Sequence, residues 1–300
     1  MARPALSATR AMELINFLAK NALGDGYTMS ELAREIGVNT ASMHTILNAL
    51  LEEGYVVRDP NRKRYRLGPS LVAAGQAALD QQPAIRRARE AASTLAAELG
   101  LECLASVLIG PETLIVGEAG RPERMHFRPR VGQRLPFMPP IGILGAAYLS
   151  EAEQEAWLTR MGPDATEEDR EIYRRAVAAA GARGHGVELE TPTRNMIGMV
   201  LMELGGDPTS TQLRSKLTEL VATLGREEHQ LLEPEPGRRY AVNNIQAPIF
   251  GPDHELVAGL TILGFDEPLE ADQIAAYTAT LLRATTEITL ATGGRAPLIL

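Results

Sequence analysis

Cysteine occurs once in 300 residues, at Cys103, so the chain can build neither an intramolecular disulfide framework nor a multi-thiolate metal site. That usage fits a reducing compartment, and the cytoplasm is the expected location. No run approaches roughly 18 uninterrupted apolar residues, and Met1 to Arg10 lack a basic stretch followed by an apolar core, so neither membrane insertion nor secretion is expected. The five histidines, His44, His126, His185, His229 and His254, lie in unrelated segments, and none has a His or Cys partner at metal-ligand spacing. A Gly-x-Ser-x-Gly elbow, a phosphate-binding Gly-Lys-Ser/Thr loop and a dinucleotide fingerprint are all missing. The sequence therefore implies no metal, no cofactor and no catalytic residue.

With 45% hydrophobic and 23% charged residues, a chain of this length can bury more than one core. The net charge of −8 argues against nucleic acid until it is resolved by position. Residues 1 to 70 carry nine Lys or Arg against seven Asp or Glu, a balance of +2, which leaves −10 for the remainder. A mildly basic head on an acidic body suits one DNA-facing end and a separate sensing end.

The head is punctuated clearly. Ala8 to Ala22 reads as a helix with Ala11, Ile15, Leu18 and Ala22 on its apolar face and Gly24 and Gly26 past its end. Thr28-Met29-Ser30-Glu31 is a capping box; Leu32, Ala33 and Ile36 then face inward, and Gly37 stops the helix. Asn39 can cap a third helix whose Met43, Ile46, Leu47 and Leu50 fall on one face, with Thr40, His44, Thr45 and Asn48 opposite, and Gly54 ends it. Two helices separated by Gly37-Val38 make a helix-turn-helix candidate. The strand-like runs Tyr55 to Arg58 and Lys63 to Leu67, around Asp59-Pro60-Asn61, add a hairpin whose Arg62, Arg64 and Arg66 share one face, a basic wing.

Thr40, Ser42, His44, Thr45 and Asn48 are the candidate groups for the major groove, with Arg62, Lys63 and Arg64 for phosphates. Taken singly, each is an ordinary solvated polar residue; the order of helix, short turn, amphipathic helix and basic wing is what points to DNA.

Ser70 to Leu99 is alanine-rich and helical, broken near Gln81-Gln82-Pro83 and closed by Gly100. Strands are expected at Glu102 to Leu108, Thr113 to Glu118, Met125 to Arg128, Asn244 to Phe250 and Leu256 to Leu263. Helices are expected at Ile141 to Leu149, Glu151 to Arg160, Glu167 to Arg183, Thr209 to Leu224 and Leu269 to Ala291, with Ser150 and Thr166 as caps. The candidate ligand pocket is walled by Met138, Ile141, Leu144, Ile245, Ala247 and Leu263, with Asn243, Asn244, Gln246 and Thr261 as polar orienters, which suits a small organic acid or an aromatic compound. Glu188 and Glu190 share a face if extended but read as solvated surface carboxylates; His185 reads as a helix-end residue and Cys103 as buried core.

Three stretches, Ser30-Glu31-Leu32-Ala33-Arg34-Glu35-Ile36-Gly37, Leu51-Glu52-Glu53-Gly54-Tyr55-Val56 and Arg64-Tyr65-Arg66-Leu67-Gly68, closely resemble the IclR-type family of bacterial transcriptional regulators. Val131-Gly132-Gln133-Arg134-Leu135-Pro136, Arg183-Gly184-His185-Gly186 and Ala247-Pro248-Ile249-Phe250 extend the resemblance over almost the whole chain. It departs where the family often has Pro-Lys-Ser-Thr and a basic residue further on; here stand Asn39, Thr40, Ala41, Ser42 and Thr45. Asn244 replaces a common cysteine, Phe137 to Gly142 replaces a small-polar stretch, and the segment from Glu190 to Arg239 is longer than expected.

The resemblance implies an α+β chain: a winged helix-turn-helix DNA-binding domain (1–68), a linker helix (69–82), and a GAF-like mixed α/β effector-binding and oligomerisation domain (83–300) with an atypically long segment at 191–239. It also implies a dimer or dimer of dimers. The expected function is a DNA-binding transcriptional regulator, not an enzyme, that binds a two-fold double-stranded operator under the control of a small organic effector. The competing readings are a helix-turn-helix that mediates assembly only, motivated by the missing Lys and Arg in the third helix, and a metabolite-converting enzyme without DNA binding.

Overall fold

The computed structural model describes residues 5–20, 25–120, 129–161, 165–206 and 210–297. The expected strand at Met125 to Arg128 lies outside them, as do His126, Ala22 and Gly24. Two compact units emerge: the first holds everything described up to Gln81 together with Glu203–Gly206, the second Gln82–Met202 and Ser210–Leu300. No helix among the described residues is long and apolar enough to cross a membrane.

In the first unit, α1 (Leu6–Lys20), α2 (Met29–Ile36) and α3 (Thr40–Glu52) are followed by a hairpin of β1 (Val56–Arg58) and β2 (Tyr65–Leu67), then α4 (Ser70–Asp80). The capping box at Thr28 forms as expected: its hydroxyl accepts from the Glu31 amide while the Glu31 carboxylate accepts from the Thr28 amide. Gly37 closes α2 at φ 68°, a left-handed position that glycine adopts without strain. Asn39 starts α3 by accepting from the Ser42 amide.

The core gathers Leu14, Leu18, Leu32, Ala33, Ile36, Met43, Leu47, Val56 and Tyr65. Here α1 corrects the sequence pattern: Leu14 and Leu18 are buried, while Ala11 and Ile15 are only half-buried. The face turns by one residue because the i, i+4 pair Leu14 and Leu18 gives the larger apolar area to α2, α3 and β2. Gly68 seals the hairpin base, donating to the Tyr55 carbonyl at 2.8 Å; a Cβ there would sit 2.1 Å from the Gly54 oxygen. In α4 no residue is buried.

The second unit starts with α5 (Pro83–Leu99), then β3 (Glu102–Ile109), β4 (Glu112–Ala119) and β5 (Arg134–Pro136). Next come α6 (Ile143–Ala146), α7 (Glu151–Leu158), a 3-10 turn at Thr159–Met161, α8 (Glu167–Arg183), β6 (Gly186–Leu189), α9 (Pro192–Gly206) and α10 (Thr211–Leu224). The chain then forms β7 (Arg239–Tyr240), β8 (Val242–Phe250), β9 (Leu256–Leu263), β10 (Leu269–Glu270) and α11 (Ala271–Ala291). Capping boxes at Ser150 and Thr166 open α7 and α8 as their sequences dictate. β6 and α9 were not expected, and α6 is shorter than the helix foreseen from Ile141 to Leu149.

Six strands pair antiparallel in the order β5-β4-β3-β9-β8-β6. Successive side chains leave opposite faces of a sheet. Cys103, Ala105, Leu260, Ile262, Ile245, Ala247 and Ile249 are all buried, on the face that α5 and α11 cover. Glu102, Leu104, Ser106, Thr261, Leu263, Asn244, Gln246 and Glu188 occupy the alternate positions and face the other way, paired in register across the strands. A separate core of Phe137, Trp157, Tyr173, Val177 and neighbours holds α6, α7 and α8, and Ile197, Val221 and Leu224 join α9 to α10.

Two histidines sit inside this unit. His229 is 1% exposed beside the Tyr173 ring, its Nδ1 2.9 Å from the Glu227 carbonyl, which fixes the proton on that nitrogen. His185 makes the same kind of contact with the Arg183 carbonyl. Burial pushes both below their ordinary pKa; at His229 the Arg194 charge adds to burial, while Glu188 and Glu227 oppose it.

Leu14→Ala should cost about 2–5 kcal/mol in urea denaturation and Ile15→Ala clearly less; equal losses would restore the sequence-based face. Because the unfolded chain binds protons near pH 6.5 and the folded histidines resist them, stability is full above about pH 6.5 and falls as the pH drops below it. Melting temperatures followed from about pH 7.5 to about 5.5 should show this decline, flattened in His185→Gln/His229→Gln; an unchanged slope would sink the assignment.

Candidate DNA-binding surface and ligand cavity

Every polar residue of the α3 outer face is exposed: Thr40, Ser42, His44, Thr45 and Asn48. Three are partly engaged. The Thr45 hydroxyl donates to the Ala41 carbonyl at 3.1 Å, and the Asn48 amide lies 3.3 Å from His44 Nδ1, one helical turn away. The helix thus offers hydrogen-bonding groups without a cation of its own.

The wing differs from the sequence expectation. β2 begins only at Tyr65, so Arg62 and Lys63 belong to the turn, and the three arginines do not share one strand face. Asp59 folds this turn: its carboxylate accepts from the Asn61 and Arg62 amides, which hold its pKa below the usual range, and Lys63 takes a positive φ of 53°. Arg62 lies 2.8 Å from Asp25, and Arg66 lies 3.8 Å from Asp59. Arg64 is half-buried, donates to the Gly26 carbonyl at 2.9 Å and approaches Glu31 at 3.6 Å, so it braces the wing against the start of α2. Sequence reasoning missed the three carboxylates because they sit far from the arginines in the chain or in the turn itself.

In the second unit, the face of the sheet away from α5 and α11 forms the floor of a cavity of about 430 Å³. Of the residues expected there, Ile141, Asn243, Asn244, Gln246, Thr261 and Leu263 line it. Met138 instead packs on the Ile197, Val221 and Leu224 cluster. Leu144 is buried in the α6–α8 core and touches only a smaller space of about 60 Å³. Ile245 and Ala247 lie on the opposite sheet face, as alternation with Asn244 and Gln246 demands.

The cavity also holds groups that the sequence reading placed elsewhere. Glu188 is buried, not solvated, because Gly186–Leu189 pairs with β8 as an edge strand that is buried throughout, and Glu188, opposite Asn244, is aimed at the floor. Its carboxylate accepts from Arg194 at 2.7 Å and from the Asn244 amide at 2.8 Å. The Asn244 amide also donates to the Asn243 carbonyl oxygen at 2.7 Å, the Gln246 amide donates to Asn244 at 2.8 Å, and Asn243 donates to Glu190. Arg194 reaches the site from the first turn of α9, where the Thr191 hydroxyl accepts from the Arg194 amide at 3.2 Å and Pro192 suits the helix start. Leu104, Ile115, Ile141 and Leu224 supply apolar wall. A strand pattern through Gly-Val-Glu-Leu-Glu followed by Thr191-Pro192 was the available signal for both glutamates and for Arg194.

The IclR helix-turn-helix domain model matches residues 7–60, which spans all three helices and the first wing strand. The transcriptional regulator XynR of Escherichia coli is 25% identical over 61% of this chain and 74% of its own length. A glycerol operon regulatory protein of Streptomyces coelicolor is 29% identical over 63% of this chain and 75% of its own. Among solved structures, an IclR transcriptional regulator from Alicyclobacillus acidocaldarius covers 97% of this chain and 100% of its own with a TM-score of 0.69 at 18% identity. An IclR homologue from Microbacterium hydrocarbonoxydans, solved with 4-hydroxybenzoate, covers 95% and 97% with a TM-score of 0.61 at 17% identity. A capped helix-turn-helix with a wing, an α+β second unit and relatives that are regulators lead to one conclusion: the chain is a DNA-binding transcriptional regulator that carries an IclR helix-turn-helix domain.

Proposed function

We propose that this regulator reads its operator with the outer face of α3 and steadies itself on the backbone with the wing. Thr40, Ser42, His44, Thr45 and Asn48 contact base edges and nearby phosphates, and Arg62 and Lys63 at the wing tip meet phosphates, with Arg64 as the brace that sets the wing angle. The exposed, cation-free polar face beside the wing carries this reading. Affinity per head is modest without a Lys or Arg on α3, and a dimer or dimer of dimers on a two-fold operator compensates. Residues 1–68 serve as the DNA-binding domain, 69–82 as the linker helix, and 83–300 as the effector-binding and oligomerisation domain, in the cytoplasm.

The cavity on the sheet binds a small organic effector, and the homologue solved with 4-hydroxybenzoate supports an organic acid or aromatic compound. The effector works by binding one arrangement of the DNA-binding heads more tightly than another.

Anisotropy titrations on DNA flanking the protein's own gene, at two salt concentrations, test the DNA half. Arg62→Ala/Lys63→Ala should weaken all DNA alike and reduce the logarithmic salt slope by about 2, one for each phosphate that is no longer neutralised. His44→Ala/Asn48→Ala should erode specificity by about 1–3 kcal/mol with the slope kept. Asp25→Asn, which removes the carboxylate paired with Arg62, should tighten binding at both salts. A folded protein that binds at neither salt would favour the assembly-only reading.

A further inference from the structure

We propose that Arg194 and Glu190 make the cavity selective for a hydroxylated carboxylic acid, with the carboxylate on the unpaired Nε and Nη2 edge of the Arg194 guanidinium and a hydroxyl donating to Glu190. The inference rests on the reading of this cavity as the effector site.

Arg194 is held in place by one side only. Its Nη1 is the atom bonded to Glu188, whereas Nε and Nη2 are buried and find no hydrogen-bond partner among the described residues. Those two nitrogens project their N–H groups along one edge of the planar guanidinium, parallel to each other, at the spacing of the two oxygens of a carboxylate. Buried charged donors without acceptors are costly to keep, so a ligand that supplies two acceptors at once gains on both. A lone hydroxyl or a carbonyl satisfies one of them.

Glu190 shows the complementary need. Its Oε2 accepts from Asn243, and its Oε1 is buried with no donor among the described residues. The amides around it run their donors along the chain Gln246 to Asn244 to Asn243 and on to the two carboxylates. This relay leaves Glu190 as an acceptor that awaits a donor, which a hydroxyl provides and a second carboxylate does not. Glu188 balances the Arg194 charge and Glu190 leaves the trio net negative, so the preference for an acid comes from the two-pronged geometry and works against net charge. The apolar wall opposite takes the carbon skeleton.

The test uses the full chain and two sets of matched probes: 4-hydroxybenzoate, benzoate and 4-hydroxybenzamide; gluconate, hexanoate and sorbitol. Thermal unfolding at millimolar probe reads binding through the rise in Tm. At least one hydroxy acid should raise Tm, with Kd lower by about tenfold or more than either the member of its set without hydroxyl or the uncharged member. Arg194→Gln and Arg194→Lys should both abolish the advantage of the acid, since lysine lacks the paired edge, and Glu190→Met should abolish the advantage of the hydroxyl. Where Arg194→Gln alone unfolds the site by stranding Glu188, Glu188→Gln/Arg194→Gln removes the pair together and should give the same loss.

Equal binding of the uncharged partner, or undiminished acid binding by the arginine variants, overturns the proposal. DNA affinity of the unmodified chain, measured in parallel, separates the two readings: DNA binding with no response to any probe overturns this ligand class and leaves the regulator standing, whereas absence of DNA binding removes the functional reading itself.

Discussion

Because successive side chains on a strand leave opposite faces of the sheet, β3, β9 and β8 each serve two masters. Cys103, Ala105, Ile262, Leu260, Ile245 and Ala247 go to α5 and α11, and the intervening residues go to the cavity. A slip of one residue in any pair would bury Asn244 and Gln246 under α11 and turn isoleucines into the cavity. The apolar half of each strand therefore fixes the polar half: hydrophobic burial of roughly 1.5–3 kcal/mol per large side chain locks a register that Asn244, Gln246 and Thr261 alone would not specify. Cys103 belongs to the same lock, and burial pushes its thiol up to about 12, so it stays protonated and inert.

The polar floor built on that register is unusual in where its charges come from. Glu188 lies on the edge strand β6, Glu190 just beyond it, and Arg194 one turn into α9, so three charged groups reach one site from seven consecutive residues. A strand followed at once by a capped helix bends the chain enough to bring this about. The first unit uses the same economy in reverse: its cations are drawn into pairs with Asp25, Glu31 and Asp59, which shape the wing and lower its net attraction for phosphate. On the proposed reading, specific recognition leans on the hydrogen-bonding face of α3 more than on charge.

Much of this was legible in the sequence wherever a local signal decided the structure. The capping box at Thr28, the caps at Ser150 and Thr166 and the glycine stop at Gly37 formed as read, because each is complete within a few residues. The family resemblance and the two-part α+β architecture followed from the same kind of local pattern. What escaped was decided by partners distant in the chain. The choice of Leu14 over Ile15 depended on α2, α3 and β2; the wing ion pairs depended on Asp25 and Glu31; and Glu188 and Glu190 read as surface carboxylates because the short strand pattern of β6 does not by itself show that the distant β8 pairs with it. The cavity was found in the right region but mixed the two faces of β8, since composition names the apolar and polar residues without saying that neighbours diverge.

A regulator of this kind responds to a ligand only as far as the ligand binds one arrangement of the protein better than another. A roughly hundredfold preference supplies about 2.7 kcal/mol, enough to move a balanced population almost wholly to one side. The ionic and amide network of Glu188, Arg194, Asn243, Asn244 and Gln246 is suited to that task because its members depend on one another: satisfying the unpaired edge of Arg194 also fixes Glu188, and fixing Glu188 orients Asn244. Such a network gives a sharper difference between occupied and unoccupied states than an apolar pocket of equal volume, in which each contact contributes separately. The long segment that carries α9 and α10 therefore does more than enlarge the unit, since it is the segment that brings the arginine to the floor.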